Sequence, residues 1–192
     1  KYKKGGIQCN ENAIKNIKNI PQLDLMFLQE VNSKIEEKIM KVQPKLKKFM
    51  RAKKGLEIIS TIWNPNVFGK VVYKDYFNLL KSNSNFRPCL ILVFERPNKD
   101  LILVINAHFP HKKNIKLALK KIKKKIFSSE YLKSIITNDS LKIIFGGDFN
   151  DEYTQIHRNR PLTFKNIKLK HIKNKKKSRK TLKTCCWRAN SK

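Results

Sequence analysis

Apolar residues in this 192-residue chain follow two rhythms, that of an amphipathic helix and that of a buried strand, and turn signals separate most of the resulting segments. Ile14, Ile17 and Ile20 stand at three-residue steps behind Asn10 and Glu11, which predicts a short helix stopped by Pro21. Leu23 to Val31 (LDLMFLQEV) is a nearly continuous apolar run, too short for a buried helix. It reads as a strand covered on both faces, with Gln29-Glu30 at its polar end. Ser33-x-x-Glu36 has the form of a capping box, and Glu37 precedes Lys41 by one turn, so a helix is expected over about 34 to 42, bounded by Pro44. Leu56 to Trp63 (LEIISTIW), rich in β-branched residues and closed by Asn64-Pro65, reads as a strand. The segment after it carries no clear pattern. Pro88 to Glu95 and Leu101 to His108 flank the polar stretch Arg96-Pro97-Asn98-Lys99-Asp100 and predict a hairpin. From Ile115 the apolar positions Leu119, Ile122 and Ile126 advance by four, three and four, giving a helix with a lysine-studded outer face that runs on toward Ile136. Leu141 to Phe145 is again a strand, leading into Gly146-Gly147-Asp148-Phe149-Asn150.

Composition sharpens this picture. The length is about that of one domain, and 40% hydrophobic residues, with 11 Phe and 2 Trp, suffice for a core and exclude wholesale disorder. No run approaches the ~18 apolar residues that cross a bilayer, so a membrane partner is not expected. The charge changes the picture most: 44 Lys+Arg against 14 Asp+Glu give +30, an excess that calls for an anionic partner, with nucleic acid foremost. An AT-rich codon bias would explain many Lys, Asn and Ile codons but not so few acids. Beyond Pro161 the chain turns to Lys and Asn, and Lys165 to Lys183 reads as a loop or phosphate-attracting arm. Cys9, Cys89, Cys185 and Cys186 form no C-x-x-C, and none of His108, His111, His157 or His171 gives them zinc spacing. Free thiols fit a reducing, intracellular compartment, cytoplasm or nucleus.

Three predicted strands end in chemistry-bearing residues: Gln29-Glu30, Asn106-x-His108 and Asp148-x-Asn150. Each has a bland explanation taken alone. Glu30 reads as a carboxylate emerging into solvent, His108 as a hydrogen-bonded strand-end histidine, and Gly-Gly-Asp-Phe-Asn as a turn. Strands that run the same way would bring all three endings to one rim, where ligands of α/β sheets bind.

Together LQEV at 28 to 31, NAH at 106 to 108 and GGDFND at 146 to 151 resemble the endonuclease/exonuclease/phosphatase family, the metal-dependent phosphodiesterases similar to DNase I. Motif order agrees, over about positions 20 to 151, and Arg87-Pro88 looks like the arginine that opens the strand before the family's histidine strand. The resemblance implies a four-layer α/β sandwich, two packed β-sheets flanked by helices. It makes Glu30 the ligand of Mg²⁺, or Mn²⁺, since a hard cation takes carboxylate oxygen. It makes Asp148 the group that orients or deprotonates the attacking water, Asn150 a holder of a phosphate oxygen and of Asp148, and His108 a hydrogen-bond partner of the phosphoryl group in the in-line transition state. Arg87 and Asn106 would contact phosphate or support the site.

The sequence departs from the family pattern in two places: no strand ending in a T-W-N-like Asn precedes Ile7, and no Asp-His follows Thr184-Cys185-Cys186-Trp187. The Thr-Cys-Cys stretch resembles what precedes the last strand in divergent viral members. The expected organisation is a partial family domain over 1–164, a lysine-rich loop or arm over 165–183, and the start of a C-terminal segment over 184–192, with truncation at both ends and little activity left in such a fragment. Nucleic-acid hydrolysis is the leading expectation. A non-catalytic basic nucleic-acid-binding protein and a phosphatase on small phosphoesters such as inositol phosphates are the alternatives.

Overall fold

The structure is a computed structural model that describes residues 11–51, 58–80, 86–110, 115–138 and 141–150, with the backbone of Thr163–Phe164 and Ile167–Lys168. The described residues fall into two units. The smaller holds α1 (11–18) and α2 (Ser33–Val42), the two helices expected from the isoleucine steps and the Ser33 cap pattern. Within it the Gln43 side-chain amide donates to the Ile17 carbonyl at 3.0 Å.

The larger unit carries the sheets. β1 (Leu25–Gln29), β2 (Lys47–Arg51) and β3 (Ile59–Trp63) form an antiparallel sheet in the order β1-β3-β2. After the short helix α3 (Pro65–Phe68), β4 (Lys70–Asn78), β5 (Pro88–Glu95), β6 (Leu101–His108) and β7 (Lys142–Asp148) form a second sheet in that order. All its pairings are antiparallel except β6 with β7. That parallel pair is joined by α4 (Ile115–Ser128) and α5 (Glu130–Ile136), the crossover a parallel pair requires.

The side-chain period of two explains why β5 and β6 read as unbroken apolar runs. Cys89, Ile91 and Val93 of β5 with Leu103, Ile105 and Ala107 of β6 enter one core with Ala118, Ile122, Ile126 and Leu132 of the helices. Leu90, Leu92 and Phe94 with Ile102 and Val104 enter a second core with Ile59 and Trp63 of the other sheet. Within this unit the order is sheet, sheet, helices, the two packed β-sheets with helices outside that the resemblance implies. Phe94 packs edge-on against both Trp63 and Phe68, at 5.1 and 5.5 Å.

The hairpin stands where its two apolar runs placed it. The patternless segment after Trp63 holds α3 and β4, the latter an edge strand whose outward positions are exposed Lys70, Val72 and Lys74. The predicted helix from Ile115 toward Ile136 is two helices. Ser129 leaves the helical conformation (φ −90°, ψ 118°) and its hydroxyl accepts from the Leu132 N–H, capping α5. The last strand runs past Phe145 through both glycines to Asp148. Most of the lysine-rich segment lies outside the described residues. Its start pairs Ile167–Lys168 (β9) with Thr163–Phe164 (β8). Among the described residues no helix is long and apolar enough to cross a membrane.

Cys89 lies wholly inside this core. Burial, and secondarily the charge of Asp75, push its thiol well above the ordinary range, so the reactive thiolate is suppressed. In the native protein Cys89 should therefore resist alkylation by iodoacetamide at about pH 8 and react after denaturation. Peptide mass spectrometry reads this, and native labelling at the rate of a free thiol would contradict the packing.

Candidate active site

The register of the parallel pair sets the site. Asn106 stands opposite Gly146, Ala107 opposite Gly147 and His108 opposite Asp148, so the C-terminal ends of β6 and β7 reach the same rim. The two glycines are needed for this. A Cβ on Gly146 would fall within 2.6 Å of the Phe27 ring, so its absence lets β1 of the other sheet lie against β7. Gly147 has φ +132°, a conformation side chains rarely adopt, and a Cβ there would run into the Ala107 backbone. Gly147→Ala is accordingly expected to lower stability by about 2–4 kcal/mol. An unchanged urea midpoint would contradict this.

A buried amide chain ties the third strand to the rim. Gln29 Nε2, at the end of β1, donates to Asn106 Oδ1 at 2.6 Å, and Asn106 Nδ2 donates to the Ser60 carbonyl at 2.8 Å and to Thr61 Oγ1 at 3.1 Å. Asn106 is fully buried with its amide engaged inside the protein, an arrangement that suits support of the site, the second of the two roles expected of it. The polar Ser60-Thr61 pair inside the apolar LEIISTIW run is the sequence signal for this chain.

At the rim His108, Asp148 and Asn150 come together. Asn150 adopts a left-handed backbone (φ 47°), and its N–H donates to Asp148 Oδ1 at 2.9 Å. Its side-chain Nδ2 donates to the Phe109 carbonyl at 2.7 Å and lies 2.8 Å from His108 Nε2. A carbonyl can only accept, so that atom is the amide nitrogen, and Nε2 takes its second hydrogen. The ring proton of His108 is thereby assigned to Nδ1. Asp148 Oδ2 lies 3.8 Å from the same Nε2, beyond a direct hydrogen bond, with the carboxylate 52% exposed to solvent against 2% for the histidine. The Phe109 N–H donates to the Asp148 carbonyl at 2.7 Å, and Phe109, Phe145 and Phe149 pack behind the cluster, with Phe109 stacked on Phe149 at 4.9 Å.

Glu30 follows the tethered Gln29. It is exposed and left-handed (φ 53°), the turn that ends β1. Arg87 precedes β5, half-buried. Its N–H donates to Asn78 Oδ1, and the adjoining register, Cys89 against Ala107, places it at the His108 end of the sheet. Among the described residues no three His, Cys, Asp or Glu side chains gather into a cage for a metal. An apolar-floored groove lies toward the other end of the strands, lined by Lys47, Phe49, Trp63 and Lys70 to Lys74, away from the rim.

No protein-family model matches the sequence, and no curated protein does. Solved structures do. TDP2 from C. elegans superposes with a TM-score of 0.60 at 19% identity, over 79% of this chain and 45% of that one. An endonuclease/exonuclease/phosphatase family protein from Bacteroides thetaiotaomicron gives 0.60 at 18% identity, over 77% and 56%. D. rerio TDP2 complexed with single strand DNA product gives 0.56 at 14% identity, over 78% and 56%. The chain thus spans about half the length of these proteins.

Proposed function

We propose that the protein hydrolyses phosphoesters, as a divalent-metal-dependent phosphodiesterase acting on nucleic acid, because its fold is the α/β sandwich of the endonuclease/exonuclease/phosphatase, DNase I-like proteins. The observation that carries this reading is the meeting of His108, Asp148 and Asn150 at the ends of two parallel strands, with Gln29 fastening the Glu30-bearing strand beside them.

Glu30 is the residue that would hold the cation. An exposed carboxylate suits Mg²⁺, which keeps several waters and needs only one or two carboxylates besides substrate phosphate, and Mn²⁺ fits the same oxygen donor. A cation bound there would neutralise charge on the phosphate. Asp148, half-exposed with one oxygen held by the Asn150 N–H, would orient or deprotonate an attacking water. His108 would donate to a phosphoryl oxygen as charge builds in the transition state. Its Nε2 must carry a proton to do so, so the Asn150 amide has to leave that nitrogen and the ring proton has to pass from Nδ1 to Nε2 by exchange with water. Freed, the amide can turn to a phosphate oxygen. Arg87 stands as a further phosphate contact. An open rim and a charge of +30 suit a polyanion, and the DNA product bound to the zebrafish neighbour is in keeping with that. A free, wholly buried Cys89 suits a reducing compartment.

The test is cleavage of an end-labelled single-stranded oligonucleotide by the full-length protein. Cleavage should require Mg²⁺ or Mn²⁺, stop with EDTA, and exceed turnover of a soluble inositol phosphate. Salt-sensitive binding with no cleavage under any metal would sink the proposal and leave a non-catalytic binder.

A further inference from the structure

The rim accounts for little of the charge. Between Asp100 and Glu130 the sequence contains no Asp or Glu, and α4 within that stretch carries Lys116, Lys120, Lys121, Lys123, Lys124 and Lys125. Those lysines divide by face. Lys121 Nζ donates to the Leu80 carbonyl at 3.3 Å, and Lys125 pairs with Asp75 at 3.2 Å over the Phe77 ring, so both serve the packing of α4 on its sheet. Lys116, Lys120 and Lys124, four residues apart, lie opposite the buried Ala118, Ile122 and Ile126. All three are exposed, and none has an acidic partner among the described residues. By contrast, the exposed Lys70 and Lys99 both bind Glu95 and hold its carboxyl below the usual range.

We propose that Lys116, Lys120 and Lys124 form a track for the sugar-phosphate backbone of a nucleic-acid strand. That this strand is the substrate, running on past the scissile bond, rests on the functional reading above. The stripe is about 12 Å long, the axial rise of roughly three to four nucleotides of one strand. Its position fits. α4 leaves the rim seven residues after His108 and returns along the outside of the sheet toward the start of β7, so a strand gripped at the rim has a cationic path onward. Three ammonium groups with no acidic partner among the described residues and no intervening carboxylate match a polyanion of regular charge spacing.

The test uses the full-length protein carrying His108→Ala, so that cleavage does not intrude, and fluorescence anisotropy with labelled single strands of about 4 and about 20 nucleotides across a salt series. Adding K116A, K120A and K124A should flatten the slope of log affinity against log salt by about 2 for the longer strand, roughly 0.7 per lost phosphate contact, and change the shorter strand much less. The triple K34A, K38A, K41A removes equal charge from α2 and should leave the slope within about 0.5. An unchanged slope in the α4 variant, an equal loss in the α2 variant, or a loss confined to binding of anionic phosphatidylserine vesicles would each overturn the track. If the wild type cleaves nothing while the slope still falls, the hydrolase reading fails and the track stands.

Discussion

Asp148→Asn is expected to slow phosphodiester cleavage by about 10²–10⁴-fold while leaving stability within about 0.5 kcal/mol of wild type. The two halves of that statement come from different parts of the same side chain. An Asn at 148 keeps an oxygen to accept the Asn150 N–H that Oδ1 now holds at 2.9 Å, so the left-handed turn at Asn150 survives. The other carboxylate oxygen lies 3.8 Å from His108 Nε2, beyond a direct hydrogen bond, on a half-exposed side chain, so its loss strands no hydrogen-bond partner there. What disappears is the negative charge and the ability to accept a proton from water. Losing a general base of that kind costs about 3–5 kcal/mol of barrier. Single-turnover cleavage at saturating metal, with urea denaturation alongside, separates the two. A rate within about threefold of wild type would remove Asp148 from the chemistry.

Legibility in the sequence followed burial. β5 and β6 were readable because both their faces are covered and their polar loop is short, so the apolar runs stop where the strands stop. β2 and β4 escaped because they are edge strands: Lys47, Lys48, Lys70 and Lys74 occupy exposed positions and break the apolar pattern. The break between α4 and α5 was present as Ser129-Glu130, an N-cap followed by an acidic first turn, but the apolar spacing that continues to Ile136 masked it. At the site, strand-end polar residues located His108, Asp148 and Asn150, since ladder register alone brings positions 108 and 148 together. The hydrogen bond between Gln29 and Asn106 joins residues 77 apart in different sheets. Only sheet packing creates it, and no local pattern announces such a contact. The same limit hid the reason for Gly146, which is the ring of Phe27 rather than a turn.

That inter-sheet amide pair carries the second large effect. Asn106→Leu keeps the volume but removes every polar side-chain atom, so Gln29 Nε2 loses its Asn106 acceptor and the Ser60 carbonyl and Thr61 hydroxyl lose the bonds that Asn106 donates. Each stranded buried group costs about 1–3 kcal/mol, so the substitution should destabilise the protein by about 2–4 kcal/mol. Activity should fall further than stability explains, because Gln29 is the residue before Glu30 and its tether sets where β1 ends. Removing Gln29's polar atoms as well relieves part of the penalty: Gln29→Leu with Asn106→Leu should recover about 1 kcal/mol relative to the sum of the single changes, while activity stays low. A double-mutant cycle in urea, with cleavage measured at increasing Mg²⁺, tests both claims. Additive stabilities would mean that the 2.6 Å contact does not couple the sheets, and wild-type metal dependence in the double variant would mean that the tether does not position Glu30.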